Sequence, residues 1–283
     1  MVNFCAGSGI LLSVTAVVLL IFGQIGQLST STVPRNLRIV SIDVSGLGEA
    51  IGEVTNNGAN NLTDLYNQNT PYFVKDPVGT GPHDGLRKVY EFGLWNYCAT
   101  NGNVGSSPRS YCTRRGFGST IQPAIVLEQD IPLRFEPALR QALPDTVFTA
   151  DAYLGTYTKA ATYLIFVGSI AAALVMLIGL IAQRFAFFLG SLLSLLSFLS
   201  LAVGLVIYTV IISRVIAGIN SATVQGVDLG IQVNYGYSLW ILWAATGVML
   251  LSILPFAIAC CTGRTDKEDK GKQPAYYTGK ETY

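Results

Sequence analysis

Gly93-Leu94-Trp95-Asn96-Tyr97-Cys98 is a short aromatic segment that ends in a cysteine, and Cys112 follows it within the same polar region. The chain has five cysteines, and the other three sit at the borders of apolar runs, which leaves Cys112 as the plausible partner of Cys98. A disulfide between them would close a loop rich in Gly, Ser and Asn, a composition that loses much entropy on ordering and gains from a covalent staple. Such a bond belongs to an oxidising compartment, so the loop is expected outside the cytosol.

Working outward, four apolar runs reach the length of about 20 residues that a bilayer core of roughly 30 Å requires. They cover residues 4–25, 163–182, 185–212 and 237–261, and their interiors hold no Asp, Glu, Lys or Arg. Intramembrane ionisable groups mark proton relays and ion paths, so these spans argue against an ion-coupled transporter. The first run lacks a basic segment before Phe4 and a small-x-small cleavage site, and is read as a retained helix rather than a signal peptide. The remaining segments are a short N-terminus (1–3), a large loop (26–162), a tight turn (183–184), a second loop (213–236) and a polar tail (262–283).

Composition agrees. Of 283 residues, 51% are hydrophobic and 12% charged, well under the roughly 25% charged usage of soluble domains. The net charge of +1 and the lack of a basic run interleaved with aromatics point away from nucleic acid. Most charges lie between Gln24 and Lys159, acids and bases nearly equal, which reads as a solvated folded module.

Within that module, alternation from Arg38 to Val44 predicts a strand, and Leu47, Ile51, Val54, Leu62 and Leu65 recur at the spacing of an amphipathic helix packed on the strands, with Asn57-Gly58 as an interruption. Lys88 to Cys98 reads as a single strand rich in Val, Tyr, Phe and Trp. Asn61-Leu62-Thr63 is the usable N-glycosylation triplet. Pro123, Pro132, Pro137 and Pro144 restrict the following region to short helical turns. Glu128, Asp130 and Glu136 alternate with Arg134 and Arg140, a pattern read as surface ion pairs rather than glycosidase carboxylates. The lone His83 sits in a Gly/Pro-rich loop without a second histidine to share a metal. Arg109, Arg114 and Arg115 flank the Cys98–Cys112 closure and are read as a solvated rim, the alternative being contact with anionic headgroups or a wall polymer.

In the membrane part, Gly9, Ser13 and Ala16 form a small-residue face on the first span. Gly190, Ser194, Ser197, Ser200 and Gly204 form another on the third, expected to meet a helix of the same bundle or of a neighbouring copy. Ile231 to Tyr235 alternates as a strand and is expected to add an edge to the sheet begun by Arg38 to Val44. Pro255 predicts a kink, and Trp240 and Trp243 suit a membrane interface. Cys260-Cys261 abut Arg264, Lys267, Lys270 and Lys272, and juxtamembrane cysteines of this kind are palmitoylation candidates. Short-loop positive charge sets Arg184 and the tail against Arg214, which places both termini in the cytosol and both larger loops outside.

Four spans, a large first outer loop, and Gly93-Leu94-Trp95 with Cys98 and Cys112 resemble the claudin-type signature, in the form carried by the fungal Sur/PalI family of plasma-membrane proteins. The resemblance covers the whole topology. It implies a mainly α membrane fold, a four-helix transmembrane bundle carrying a disulfide-pinned extracellular β-sheet, in which Trp95 packs at the base of the sheet near the bilayer and the cysteine pair pins two strands. It further implies cortical plasma-membrane proteins of eisosome-type domains, associated with cell-wall integrity, endocytosis or morphogenesis; a paracellular channel role is not implied.

The expected function is therefore non-enzymatic organisation of a plasma-membrane domain, with no cofactor, metal or catalytic residue. The expected partners are membrane lipids, lateral copies or other membrane proteins, and a cell-wall polymer or its synthase. The rivals are an ambient-pH signalling accessory of the PalI kind, whose long cytosolic tail this chain lacks, an auxiliary subunit of a wall-polysaccharide synthase, and an enzyme, for which no HExxH, GxSxG or P-loop motif is present.

Overall fold

A computed structural model of the chain describes residues 2–28, 32–54, 65–66, 85–101, 110–113, 120–143, 148–180, 184–224 and 226–262. In chain order the elements are α1 (Val2–Gln24), α2 (Thr32–Asn36), β1 (Val40–Asp43), α3 (Leu47–Val54), β2 (Val89–Phe92), β3 (Tyr97–Thr100), β4 (Ser110–Cys112), α4 (Pro123–Asp130), α5 (Glu136–Ala142), α6 (Asp151–Gly179), α7 (Arg184–Asn220), β5 (Thr223–Val224), β6 (Val227–Asp228), β7 (Gln232–Tyr235) and α8 (Tyr237–Thr262).

Helices α1, α6, α7 and α8 are long and apolar enough to cross a membrane. With lipid as solvent, packing and interhelical hydrogen bonds hold such helices together, because burial from water offers no drive. Helix α6 packs along α7, α7 along α8 and α8 along α1, and α1 closes the ring against α6 through the slimmest contact. The small-residue stripe on α7 faces inside the same bundle. Ser197 donates to the carbonyl of Gly168 on α6 at 2.7 Å, and Ser194 bonds Ser252 on α8 at 2.6 Å. These serines cross between helices, so the stripe meets helices of its own bundle. Gly9 on α1 lies against the ring of Phe256. Exposed Leu, Val and Ile side chains cover the outer faces of the four helices.

Helices α6 and α7 run further than the apolar spans predict. The first begins at Asp151 rather than near Tyr163, and the second holds Arg184 at its start and continues to Asn220, into the segment read as the second loop. At 1.5 Å per residue the 37 residues of α7 reach roughly 55 Å, well beyond a hydrocarbon core of about 30 Å. Hydropathy reports where lipid is tolerated, while the helix continues wherever neighbouring surface covers it.

The sheet sits on these protruding ends. Its order is β4-β3-β2-β1-β7, antiparallel throughout. Val40 and Ile42 of β1 and Val233 of β7 share one face and meet Ile211, Ile212 and Val215 of α7 and Leu154 of α6. The region Lys88–Cys98 is not one strand: β2 and β3 form a hairpin, turning through Gly93–Asn96, with the Gly93 amide donating to the Asn96 carbonyl at 2.9 Å. The expected edge strand is present as β7, which pairs with β1 in the register Ser41 to Asn234.

Helices α4 and α5 each start with a proline in the first turn, where no amide is needed. Each stops at a residue in extended conformation, Ile131 or Leu143, that precedes a proline in the sequence. The predicted ion pairing is present on the surface, Arg140 reaching Glu128 at 3.2 Å and Glu136 at 2.8 Å. Asp130 departs from it: it is 5% exposed and accepts from the Tyr90 hydroxyl at 2.7 Å.

Candidate functional site

The described residues converge on the junction where the sheet meets the bundle. At the end of α1 the chain turns through Gly26 and Gln27, and Gln27 adopts a left-handed φ of 61° while fully buried. Its amide donates to the Pro34 carbonyl at 2.8 Å and its side-chain Nε2 to the Leu37 carbonyl at 3.3 Å. This local fold brings the segment after α1 back over the helix end, where β1 begins.

The β2–β3 turn lands on that helix end. A Cβ at Gly93 would lie 2.6 Å from the Gly26 carbonyl oxygen, so only glycine permits the approach. Leu94 is buried, and Trp95 meets Phe166 of α6 edge-on, with centroids 5.7 Å apart. Trp95 therefore anchors the turn on α6.

The disulfide is present. Cys98 and Cys112 face each other across β3 and β4, with Cα atoms 4.0 Å apart. The Cys98 sulfur also rests 3.3 Å from the Gln27 carbonyl oxygen, a van der Waals contact because a disulfide sulfur carries no hydrogen. Thr113 extends the pairing: the Tyr97 amide donates to its hydroxyl at 3.2 Å, and the Asn96 side chain donates to its carbonyl at 3.4 Å. Gly93 and Cys98 thus touch the turn that follows α1, and Trp95 touches α6, all from one short hairpin.

Two buried polar pairs support the hairpin from above. Arg38 and Glu91 are 3.3 Å apart with side chains 12% and 3% exposed, and the Arg38 guanidinium lies 5.7 Å over the ring of Tyr237 at the start of α8. The pair ties β1 and β2 to the fourth span. Tyr90 donates to Asp130 and accepts from the Arg87 amide at 3.1 Å, joining β2 to α4. Burial, reinforced by the Asp130 charge, holds the Tyr90 phenol well above its ordinary range. Tyr66 donates to the Val44 carbonyl at 2.6 Å and accepts from the Gly48 amide at 3.0 Å; burial is the main cause that pushes it up to about 12.

Sequence reasoning named Gly93, Leu94, Trp95, Cys98 and Cys112, and the structure gathers them at one place. It missed Gln27, the Arg38–Glu91 pair and the Tyr90–Asp130 pair. An acid at the centre of Val89-Tyr90-Glu91-Phe92, an otherwise apolar strand, was the available signal for Glu91. Asn61, His83, Arg109, Arg114 and Arg115 lie outside the described residues. Cys260 and Cys261 fall in the last turn of α8, their side chains outside the described set. Among the described residues no three His, Cys, Asp or Glu side chains group as a metal site. The chemistry of the junction is mechanical: it fixes a covalently stapled sheet to the bundle at several points.

A family model described as the SUR7/PalI family matches residues 5–252. No curated protein matches the chain.

Proposed function

Because this chain belongs to the SUR7/PalI family, we propose that it is a non-enzymatic plasma-membrane protein that organises a cortical membrane domain of the eisosome type, with consequences for wall integrity, endocytosis or morphogenesis. The sheet faces outward and both termini are cytosolic. The observation that carries the reading is the junction of Gly93 on Gly26, Trp95 on Phe166 and the nearby disulfide, which makes sheet and bundle one body. A body of this kind transmits lateral contacts made outside the membrane to the spans without loss in a hinge. A disulfide also favours the non-cytosolic side. The even number of spans puts Val2 and Thr262 at the opposite end.

Its partners are membrane lipids, further copies or other membrane proteins, and a wall polymer or the synthase that makes it. Cys260 and Cys261 serve as acylation sites that hold the end of α8 at the inner interface, and Asn61 carries a glycan on the outer loop. Photobleaching of the tagged protein in intact cells tests the organising role. Slow recovery confined to patches is expected; rapid, uniform recovery rules it out.

A further inference from the structure

Helices α1 and α8 run antiparallel in one unbroken register. A Cβ at Gly26, just past the end of α1, would lie 3.0 Å from the Ser238 hydroxyl at the start of α8. One at Gly23 would lie 2.6 Å from Leu242, and one at Gly9 3.2 Å from the ring of Phe256. Each step along α1 is thus matched by a step back along α8, and the match persists beyond Pro255. Cys5 stands one helical turn before Gly9, and Cys260 one turn after Phe256, and positions four apart share a helix face. The register therefore brings the two cysteines level on facing ridges, at the end of the bundle away from the sheet.

Glycine on one side of the seam lets the two backbones approach closely. Packed helices have axes about 8–10 Å apart and Cα atoms about 2.3 Å from the axis, so facing Cα atoms lie roughly 3.5–5.5 Å from each other. That range overlaps the window of about 4.4–6.8 Å that a disulfide requires. Cys261, the next residue, is turned by about 100° and lies off the ridge. We infer that Cys5 and Cys260 form a reversible disulfide when the chain meets a peroxide, tying the first span to the fourth. One thiolate attacks the peroxide and becomes a sulfenic acid, releasing a water; the second thiol displaces the sulfenic oxygen as another water and closes the S–S bond. The thiols are oxidised by two electrons and the peroxide is reduced by two. A thiol of the glutathione kind reverses the step by exchange.

The inference rests on the reading above for the compartment, since cytosolic thiols are held reduced and disulfides there are transient and redox-sensing. It goes beyond that reading by giving the inner end of the bundle a covalent state of its own, with the ends of α1 and α8 closed beneath the fully buried Phe256. Acylation and oxidation exclude each other at Cys260, so the bond forms on chains whose Cys260 is unacylated, and Cys261 is left for the acyl chain.

The test uses the full chain in phosphatidylcholine nanodiscs, with thioesters removed by neutral hydroxylamine and thiols reduced, then exposed to equimolar hydrogen peroxide. Non-reducing peptide mapping is expected to find Cys5 joined to Cys260 at least about fivefold more often than to Cys261, because disulfide geometry is strict. The chain should still run as a monomer on a non-reducing gel. The bond is expected to vanish in Cys260→Ser, to stay within about twofold in Cys261→Ser, and to reverse with glutathione. In intact cells, alkylation after an acid quench should find both thiols unbridged before peroxide and joined after it. Sulfinic acid without a cross-link, equal yields on Cys260 and Cys261, a bond between two chains, or a cross-link already present in cells before peroxide overturns the assignment. Thiols that never bridge, with slow and patch-confined membrane recovery, sink this inference alone; rapid, uniform recovery with the peroxide-dependent bond intact sinks the organising role alone.

Discussion

Trp95 and Phe166 meet at right angles, 5.7 Å between ring centroids, one from the turn between β2 and β3 and the other from α6. The contact joins the outer module to the second span. Trp95→Ala removes it and most of the packing around it, and should cost about 3 kcal/mol, of which about 1 kcal/mol is the aromatic pair itself. A double-mutant cycle with Phe166→Ala, read by thermal unfolding in detergent, should return that smaller coupling. Additive single effects would show that the rings do not interact.

Gly93→Ala puts a methyl carbon 2.6 Å from a backbone oxygen at the end of α1. Neither side is a flexible side-chain tip, so the turn must lift, at about 1–3 kcal/mol. The sign separates this site from Gly247, where no atom lies within 4 Å of an added Cβ and alanine should be neutral or slightly stabilising.

Replacing Cys98 and Cys112 by serine frees a loop with a sequence separation of 14, an expected loss of about 3 kcal/mol. Reductant should lower the melting temperature of the native chain and leave the double-serine variant unchanged. Non-reducing peptide mapping that finds both thiols free in the native protein would contradict the pairing.

Arg38→Met removes the 3.3 Å partner of the buried Glu91, and breaking a buried ion pair from one side costs about 3–5 kcal/mol. Adding Glu91→Leu should recover much of it, because the pair is worth little against an apolar replacement. Recovery in the double variant, measured by denaturant unfolding, is the diagnostic outcome.

Tyr66 and Tyr90 both hold their phenol protons to unusually high pH. The folded chain keeps these protons above pH 10, where the unfolded chain has released them, so stability is complete below pH 10 and falls as pH rises. With both groups in that window the slope is at most about 2.7 kcal/mol per pH unit. Absorbance titration of the 14 tyrosines should show a late fraction that shrinks in Tyr66→Phe and again in Tyr90→Phe. Titration of all tyrosines near pH 10 in the folded protein would refute the burial of these two.

The spans were legible because lipid imposes a length and an apolar composition that few other constraints imitate. The Cys98–Cys112 pair was legible by elimination, and β7 by its alternation from Ile231 to Tyr235. The turn at Gly93–Asn96 was hidden because Leu94 and Trp95 prolong an aromatic strand pattern, and the docking of Trp95 on α6 is encoded by no local period. Asp130 looked like part of a charged surface series because its partner Tyr90 is 40 positions away. Arg38 and Glu91 are likewise 53 apart, beyond anything that spacing reveals. The upper turns of α6 and α7 were hidden because their cover is the sheet itself.

Strand β7 lies beside β1, although residues 44–231 separate them in synthesis. A ribosome therefore delivers β1 with one flank open, and that flank closes only after three spans have been inserted and the residues before α8 have emerged. Until then the nascent protein exposes a row of unpaired amides and carbonyls to whatever strand is nearby. Quality control during biogenesis has a natural checkpoint there, since the arrival of Gln232–Tyr235 completes the sheet just before the final span enters the bilayer.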